Sequence, residues 1–256
     1  MSATHGKFVW YELAAPDVAA AEAFYKSVIG WGAHDPHHSN HPYTMFTAGE
    51  AGVAGAWQIT EEVIAMGGRA GWRGYIQVDD IAASAAAVIA AGGKIVKPAS
   101  EIPNVGLFAV AVDPQGAAFH LLQMAKPMEP NSQSAAGHVG WHELYTADYA
   151  ADFEFYAAVF GWTKSDAIDM GPMGMYQMFV TNGGNVVGGM MNKPDPAMPS
   201  GWKFYVNVDA IDAAVARLET GGGMVVHGPQ RVPDGAWIVQ AIDPQGVMFA
   251  VVAPVK

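Results

Sequence analysis

A stretch of 24 residues near the N-terminus recurs 131 positions later, and this duplication is the strongest guide to the fold. Residues 8–31 (FVWYELAAPDVAAAEAFYKSVIGW) and 139–162 (VGWHELYTADYAADFEFYAAVFGW) are identical at 11 of 24 positions. The identities include Trp10/Trp141, Glu12/Glu143, Asp17/Asp148, Phe24-Tyr25/Phe155-Tyr156 and Gly30-Trp31/Gly161-Trp162. Further on, Trp72 to Val78 matches Trp202 to Val208, and Asp113-Pro-Gln-Gly116 matches Asp243-Pro-Gln-Gly246. The offset shifts by one residue over that distance, so insertions fall in loops. A repeat of this kind settles the architecture before any local reading does.

Within each repeat the local signals are clear. Residues 8–13 are β-branched and aromatic and read as a strand. Pro16-Asp17 then opens a helix with Asp17 as N-cap. Val18, Ala21, Phe24, Tyr25 and Val28 form its buried stripe at helical spacing. Gly30 stops it, and residues 31–59 read as three short strands. A second unit begins at the strand Gly74–Val78. Asp79-Asp80 caps an Ala-rich helix over 81–91, and Gly92-Gly93 ends it. Strands follow near 94–97, 107–112 and 117–123, the last two joined by the Asp113–Gly116 turn. After residues 126–138, a linker by composition, the whole order repeats. A helix starting at Asp209 ends at Gly221-Gly-Gly223. The expected fold is therefore α+β: four βαβββ units forming two half-open barrel domains, residues 1–125 and 139–256, with helices on one side of mostly antiparallel strands.

Composition narrows the function. The 256 residues carry a net charge of −11, with no cysteine. Residues 1–130 hold 7 basic and 12 acidic side chains, and residues 131–256 hold 6 and 12. No basic patch exists for nucleic acid. Disulfides, thiol nucleophiles and cysteine-based zinc sites are excluded. No apolar run approaches the roughly 18 residues of a membrane span, and no signal peptide is visible at the N-terminus. A cytoplasmic chain without membrane or nucleic-acid partners, monomeric or homodimeric, is the expectation.

The combination Asp17…Phe24-Tyr25…Gly30-Trp31, Val78-Asp79…Gly92-Gly93 and Asp113-Pro-Gln-Gly116, with its second-half partners, resembles the vicinal oxygen chelate superfamily: glyoxalase I, extradiol dioxygenases, and fosfomycin- and bleomycin-resistance proteins. The Trp-x-Glu-Leu start and tandem length resemble its two-domain, glyoxalase-like bacterial group. The resemblance implies a divalent metal on the inner barrel face, held by imidazole and carboxylate with positions open for substrate oxygens. Carried over one at a time, the four ligand positions fall on Trp10, the segment Ala54–Ala56, Arg73 and His120. In the second half they fall on Trp141, Gly188-Gly189, Lys203 and Ala250. Only His120 is a metal-ligand type, so the resemblance carries the fold while the ancestral metal site looks lost, and no metal ligand is assigned.

Strand alternation names the rest of the inner face. Trp10 and Glu12, then Arg73, Tyr75 and Gln77, then Ala118, His120 and Leu122 point inward. The second half gives Trp141 and Glu143; Lys203, Tyr205 and Asn207; Met248, Ala250 and Val252. Aromatic walls with a few placed polar groups suit a small molecule. Glu12, Glu143 and His120 are the candidates for acid–base work. Trp10, Arg73, Tyr75, Gln77, Trp141, Lys203, Tyr205 and Asn207 are the candidate ligand contacts. Structural readings compete: Glu12 could pair with Arg73, and Glu143 with Lys203, to hold the barrel. His120 could be a hydrogen-bonded core residue, and His142 packs on the opposite face. His34, His37, His38 and His41 form a solvated loop or an adventitious metal site. The methionines between 170 and 198 fill gaps or line an adaptable surface. Three functions stay open: a metal enzyme resembling glyoxalases or dioxygenases with a non-standard ligand set, a metal-free small-molecule binder, and a metal-free acid–base enzyme.

Overall fold

A computed structural model describes residues 2–36, 42–65, 67–126, 132–182 and 184–256. The elements of the first half are β1 (Phe8–Ala15), α1 (Val18–Ile29), β2 (Gly32–His34), β3 (Tyr43–Ala48), β4 (Ala51–Gln58), the short α2 (Glu61–Ala65), β5 (Gly71–Gln77), α3 (Ile81–Ala90), β6 (Lys94–Ile102), β7 (Gly106–Val112) and β8 (Ala118–Met124). The second half repeats them as β9 (Val139–Thr146), α4 (Tyr149–Phe160), β10 (Thr163–Asp169), β11 (Met175–Val180), β12 (Val186–Asn192), β13 (Gly201–Asn207), α5 (Ile211–Thr220), β14 (Met224–Arg231), β15 (Trp237–Ile242) and β16 (Met248–Ala253). Each half builds one open eight-stranded mixed sheet, in the orders β2-β3-β4-β1-β5-β8-β7-β6 and β10-β11-β12-β9-β13-β16-β15-β14. The two orders are the same topology, as a duplication requires. β1 with β4, and β5 with β8, run parallel, while the outer strands are antiparallel.

The helices obey their caps. Asp17, Asp80 and Asp148 accept backbone N–H bonds at the starts of α1, α3 and α4. Gly30 and Gly161 close α1 and α4 in the left-handed region, φ 86° and 72°, which glycine enters without steric cost. Two sequence expectations shift. The N-cap of α5 is Ala210, without a side-chain cap bond, rather than Asp209. β6 runs on to Ile102, through Pro98. It lies at the sheet edge with register shifts between Ile95 and Ser100, and an edge strand tolerates a residue that cannot donate to the ladder.

The chain divides into two compact units, each discontinuous in sequence. One comprises Met1–Trp10, Gly74–Pro130 and His142–Trp202; the other comprises Tyr11–Arg73, Asn131–Trp141 and Lys203–Lys256. The first packs α3 with α4 over a core that includes Ile76, Phe119, Tyr156, Phe160, Trp162 and Phe179. The second packs α1 with α5, and Arg217 donates through Nε and Nη2 to the Val28 carbonyl at 3.1 and 2.8 Å. Its core surrounds Tyr25 with Trp31, Phe46, Trp72 and Phe249.

The repeated sequence motifs meet inside these units. In the first, Asp113 Oδ1 accepts from the Gln115 and Ala117 amides, and its Oδ2 accepts from the Tyr156 hydroxyl at 3.0 Å. Trp202 Nε1 donates to that same phenol at 2.9 Å. In the second, Asp243, Gln245, Val247, Tyr25 and Trp72 repeat the arrangement. The Asp-Pro-Gln-Gly turn of one βαβββ module thus takes the tyrosine of another module's helix. Burial, reinforced by the neighbouring aspartate, pushes both phenols well above their ordinary range, so they stay neutral donors. A buried hydrogen bond to a charged acceptor contributes about 1.5–3 kcal/mol.

Candidate functional site

The inner-face residues fall into groups that each lie within one unit. The most informative is built on β1, β3 and β4 of the second unit. Glu12 on β1 sits opposite Gly55 on β4. Tyr43, at the start of β3, lies across that glycine: a Cβ built on Gly55 would stand 1.8 Å from the Tyr43 hydroxyl oxygen. The phenol donates to Glu12 Oε1 at 2.9 Å, and Glu12 and Tyr43 are both half-buried. Gly55 lies inside the Ala54–Ala56 segment, where the resemblance places the second metal ligand. No side chain can project there while Tyr43 occupies the space. Arg73 donates to the carbonyls of Gly71 and Arg69 and lies 5.8 Å from the Trp57 ring centroid.

The placing of a tyrosine over the glycine opposite the glutamate recurs in the first unit. Glu143 on β9 is opposite Gly189 on β12, and a Cβ on Gly189 would stand 2.1 Å from Tyr176 Cε1. Glu143 is buried. Neither Tyr43 nor Tyr176 was singled out from the sequence. The available signal was a tyrosine 12 or 13 residues ahead of a strand glycine, Gly55 or Gly189, in the two halves, which means something only once the hairpin register is known.

Elsewhere in the first unit Tyr75 and His120, opposite each other in register, meet edge to face at 4.4 Å and 90°. Trp10 and Phe108 pack on the same cluster with Val9 and Leu122, and Lys97 lies 4.4 Å from the Phe108 ring centroid. The corresponding group in the second unit replaces the imidazole. His120 becomes Ala250, and Val110, opposite His120, becomes Gln240, opposite Ala250. Lys203 Nζ donates to Gln240 Oε1 at 2.8 Å, and Gln240 Nε2 donates to the Tyr205 hydroxyl at 2.7 Å. A polar group next to the tyrosine is retained, supplied from the adjacent strand. Gln240 is a second residue that the sequence reading missed.

The remaining candidates have more structural surroundings. Gln77 Nε2 donates to Thr4 Oγ1 at 2.9 Å. Asn207 Nδ2 donates to the carbonyls of Gln133 and Ala135 at 2.8 and 3.1 Å, tying down the segment before β9. Trp141 is half-buried on β9. His142 stacks on Phe8 at 4.2 Å, bonds the Val187 carbonyl, and is held neutral by burial with its pKa lowered to about 4. His34 lies on β2; His37, His38 and His41 fall outside the described residues. A void of about 10 Å³ in the second unit, lined by Tyr11, Tyr25, Trp31, Trp72, Phe204 and Phe249 among others, has room for one water at most and belongs to the core.

As a donor set these residues do not fit the family's divalent metal. Two indoles, a glycine under a phenol, a guanidinium and an ammonium stand at the implied positions, with one imidazole. Among the described residues no three His, Cys, Asp or Glu side chains converge. Borderline divalent ions call for imidazole, carboxylate or thiolate donors.

Comparison with known proteins agrees with the fold. The profile of the glyoxalase/bleomycin resistance protein/dioxygenase superfamily matches residues 136–251, and that of the glyoxalase-like domain matches residues 10–122. The chain is 32% identical over 255 residues to CFP32 of Mycobacterium tuberculosis (strain CDC 1551 / Oshkosh), covering 96% of this chain and 94% of the relative. It is 30% identical over 261 residues to the anthracycline biosynthesis protein DnrV of Streptomyces peucetius, covering 96% and 93%. Among solved structures, 2,2',3-trihydroxybiphenyl 1,2-dioxygenase from Sphingomonas wittichii strain RW1 superposes with a TM-score of 0.67 at 17% identity, covering 100% of this chain and 91% of that one. The Mn(II)-bound glyoxalase from Novosphingobium aromaticivorans superposes with a TM-score of 0.65 at 17% identity, covering 99% and 83%. Two tandem profile matches, near-complete relatives and the shared sheet topology together mean that the chain belongs to the glyoxalase/bleomycin resistance protein/dioxygenase superfamily.

Proposed function

We propose that this protein binds a small organic molecule on the inner faces of its sheets without a resident metal, and that the Glu12–Tyr43 pair is the polar anchor of one such face. The observation that carries this reading is the Tyr43 phenol lying over Gly55 and donating to Glu12. The carboxylate already has a fixed partner where the family's chemistry calls for a metal ligand. Trp57 and Arg73 supply an aromatic and cationic wall in the same unit, and the Lys203–Gln240–Tyr205 chain supplies a second set of polar groups. A relative named for anthracycline biosynthesis supports an organic ligand. A proton-transfer role is the second reading. It is favoured by the same hydrogen bond, since a carboxylate and a phenol in contact can pass a proton to a bound molecule.

The test is a thermal-shift screen of small aromatic and carbonyl compounds on chelator-treated protein, followed by Glu12→Gln/Glu143→Gln. The double variant is expected to keep the wild-type circular dichroism and lose at least tenfold in affinity for the hits, about 1.4 kcal/mol or more. Unchanged affinity would remove the two carboxylates from the site.

A further inference from the structure

Beneath α4 the two halves of the repeat differ in one buried pair. Ala15 and Ala21, both buried in the first repeat, are replaced in the second by Thr146 and Asp152, which are also fully buried. The Thr146 hydroxyl donates to Asp152 Oδ2, while Asp152 Oδ1 is buried and has no hydrogen-bond partner. Nearby, burial raises the pKa of Asp113, against hydrogen bonds from two backbone amides and the Tyr156 hydroxyl that favour its carboxylate. A second negative charge sealed beside it, with one oxygen unsatisfied, is unfavourable.

We propose that Asp152 is a proton-operated catch: protonated, it lets the first turn of α4 pack closely on β9, and on ionising it leaves a buried charge there that loosens the packing while the Thr146 hydrogen bond persists. β9 also carries Glu143, so the catch bears on a strand of the candidate site, although it does not depend on what that site binds.

The surroundings favour the neutral acid. Burial, reinforced by the charges of Asp113 and Asp148, raises the Asp152 pKa from its ordinary 3.8 to about 6, against the opposing influence of the Thr146 hydroxyl and the nearby Gln115 amide. Asp148 is the N-cap of the same helix, and its own backbone N–H and C=O are held by the Gln115 side chain at 2.7 Å each. Of the other elements packed on α4, α3 and β12 contain no charged residue, β8 meets it through Phe119, and β10 brings Lys164, whose ammonium lies 4.9 Å from the Phe153 ring centroid and pairs with Glu154 at 2.9 Å. On β9, His142 is neutral above about pH 5, its pKa being about 4. For an acid whose folded pKa exceeds its unfolded value, the stabilising contribution is complete below the unfolded value. It is lost as pH rises through the folded one. The catch is therefore closed below about pH 4 and released between roughly pH 5 and 7.

The experiment is amide hydrogen exchange of the full chain, followed by NMR from pH 5 to 8. Exchange of α4 is divided by that of α1, which carries Ala21 at the equivalent position and cancels the intrinsic pH dependence. The α4/α1 ratio is expected to rise with pH by a factor approaching the order of a hundredfold, the ratio corresponding to about two pH units of displacement. In Asp152→Asn, and in Thr146→Ala/Asp152→Ala, which restores the alanine pair, the ratio should be flat. A carboxyl ¹³C titration of Asp152 should have its midpoint near 6. A flat wild-type ratio, or a midpoint near 4, would overturn the proposal.

Discussion

Replacing Trp162 by alanine is expected to destabilise the chain by about 3–5 kcal/mol, the range for removing a large buried aromatic side chain. The indole is 2% exposed. It stacks on Phe179 at 4.5 Å and on Tyr156 at 5.1 Å, and its Nε1 donates to the Gly6 carbonyl at 2.7 Å. Truncation removes the stacked area, leaves a cavity that its rigid aromatic neighbours cannot fill, and strands a buried carbonyl. Trp162→Phe keeps a ring in the stack and loses only the N–H bond and part of the area, so it should cost well under half as much. Urea unfolding monitored at two wavelengths measures both. A loss below about 1 kcal/mol for the alanine variant would show that this residue is not the keystone of its core.

The second large effect is at Gly55. A single methyl group there would meet the Tyr43 hydroxyl at 1.8 Å, so Gly55→Ala must drive the phenol off Glu12. The expected cost is about 1–3 kcal/mol, as for other overpacking substitutions. Because the penalty comes from one neighbour, it should nearly vanish in a Tyr43→Ala background, giving a coupling energy of similar size. A Gly55→Ala cost that is unchanged by removing Tyr43 would mean that something else fills the space. The equivalent cycle at Gly189 and Tyr176, where the built Cβ lies 2.1 Å from Tyr176 Cε1, should behave the same way in the first unit.

These two sites also show what was legible in the sequence. Trp162 stood out because it recurs as Trp31, and the two indoles play the same part in the structure. Trp31 Nε1 donates to the Gly137 carbonyl at 2.7 Å, as Trp162 does to Gly6. The Phe-Tyr and Asp-Pro-Gln-Gly repeats, which carried the family resemblance, bond to one another in both units. The motifs that reveal the family are thus those that hold its modules together, and they carry no information about a ligand. Strand alternation put Trp10, Tyr75 and His120 on one face, because period-two patterning depends only on the local chain, and in the structure they gather with Phe108, which the alternation had not named.

Tyr43 and Gln240 were invisible for the opposite reason. Each acts across strands, over a glycine or a register partner, and register is a long-range property. The exchange of Val110 and His120 for Gln240 and Ala250 preserves a polar neighbour for the tyrosine by moving it one strand over. No alignment of one repeat on the other shows that, since each position taken alone reads as a lost residue. The edge strand β6 extends past Pro98 for a related reason: a proline that breaks a central strand is harmless where no partner needs its N–H.

Whether the inner faces work without a metal is decided by the metal content of untagged protein purified without chelators. It is determined by elemental mass spectrometry per mole of chain, with melting temperatures recorded before and after adding Zn, Ni, Mn and Fe salts. The expected result is far less than one equivalent of any of these metals and no rise in melting temperature, because Tyr43 over Gly55, the guanidinium of Arg73 and the indole of Trp10 stand where ligands would have to be. Close to one equivalent, with a melting temperature that rises on metal addition as mass action requires of a bound ligand, would contradict a metal-free site and make a metal-dependent enzyme the correct reading.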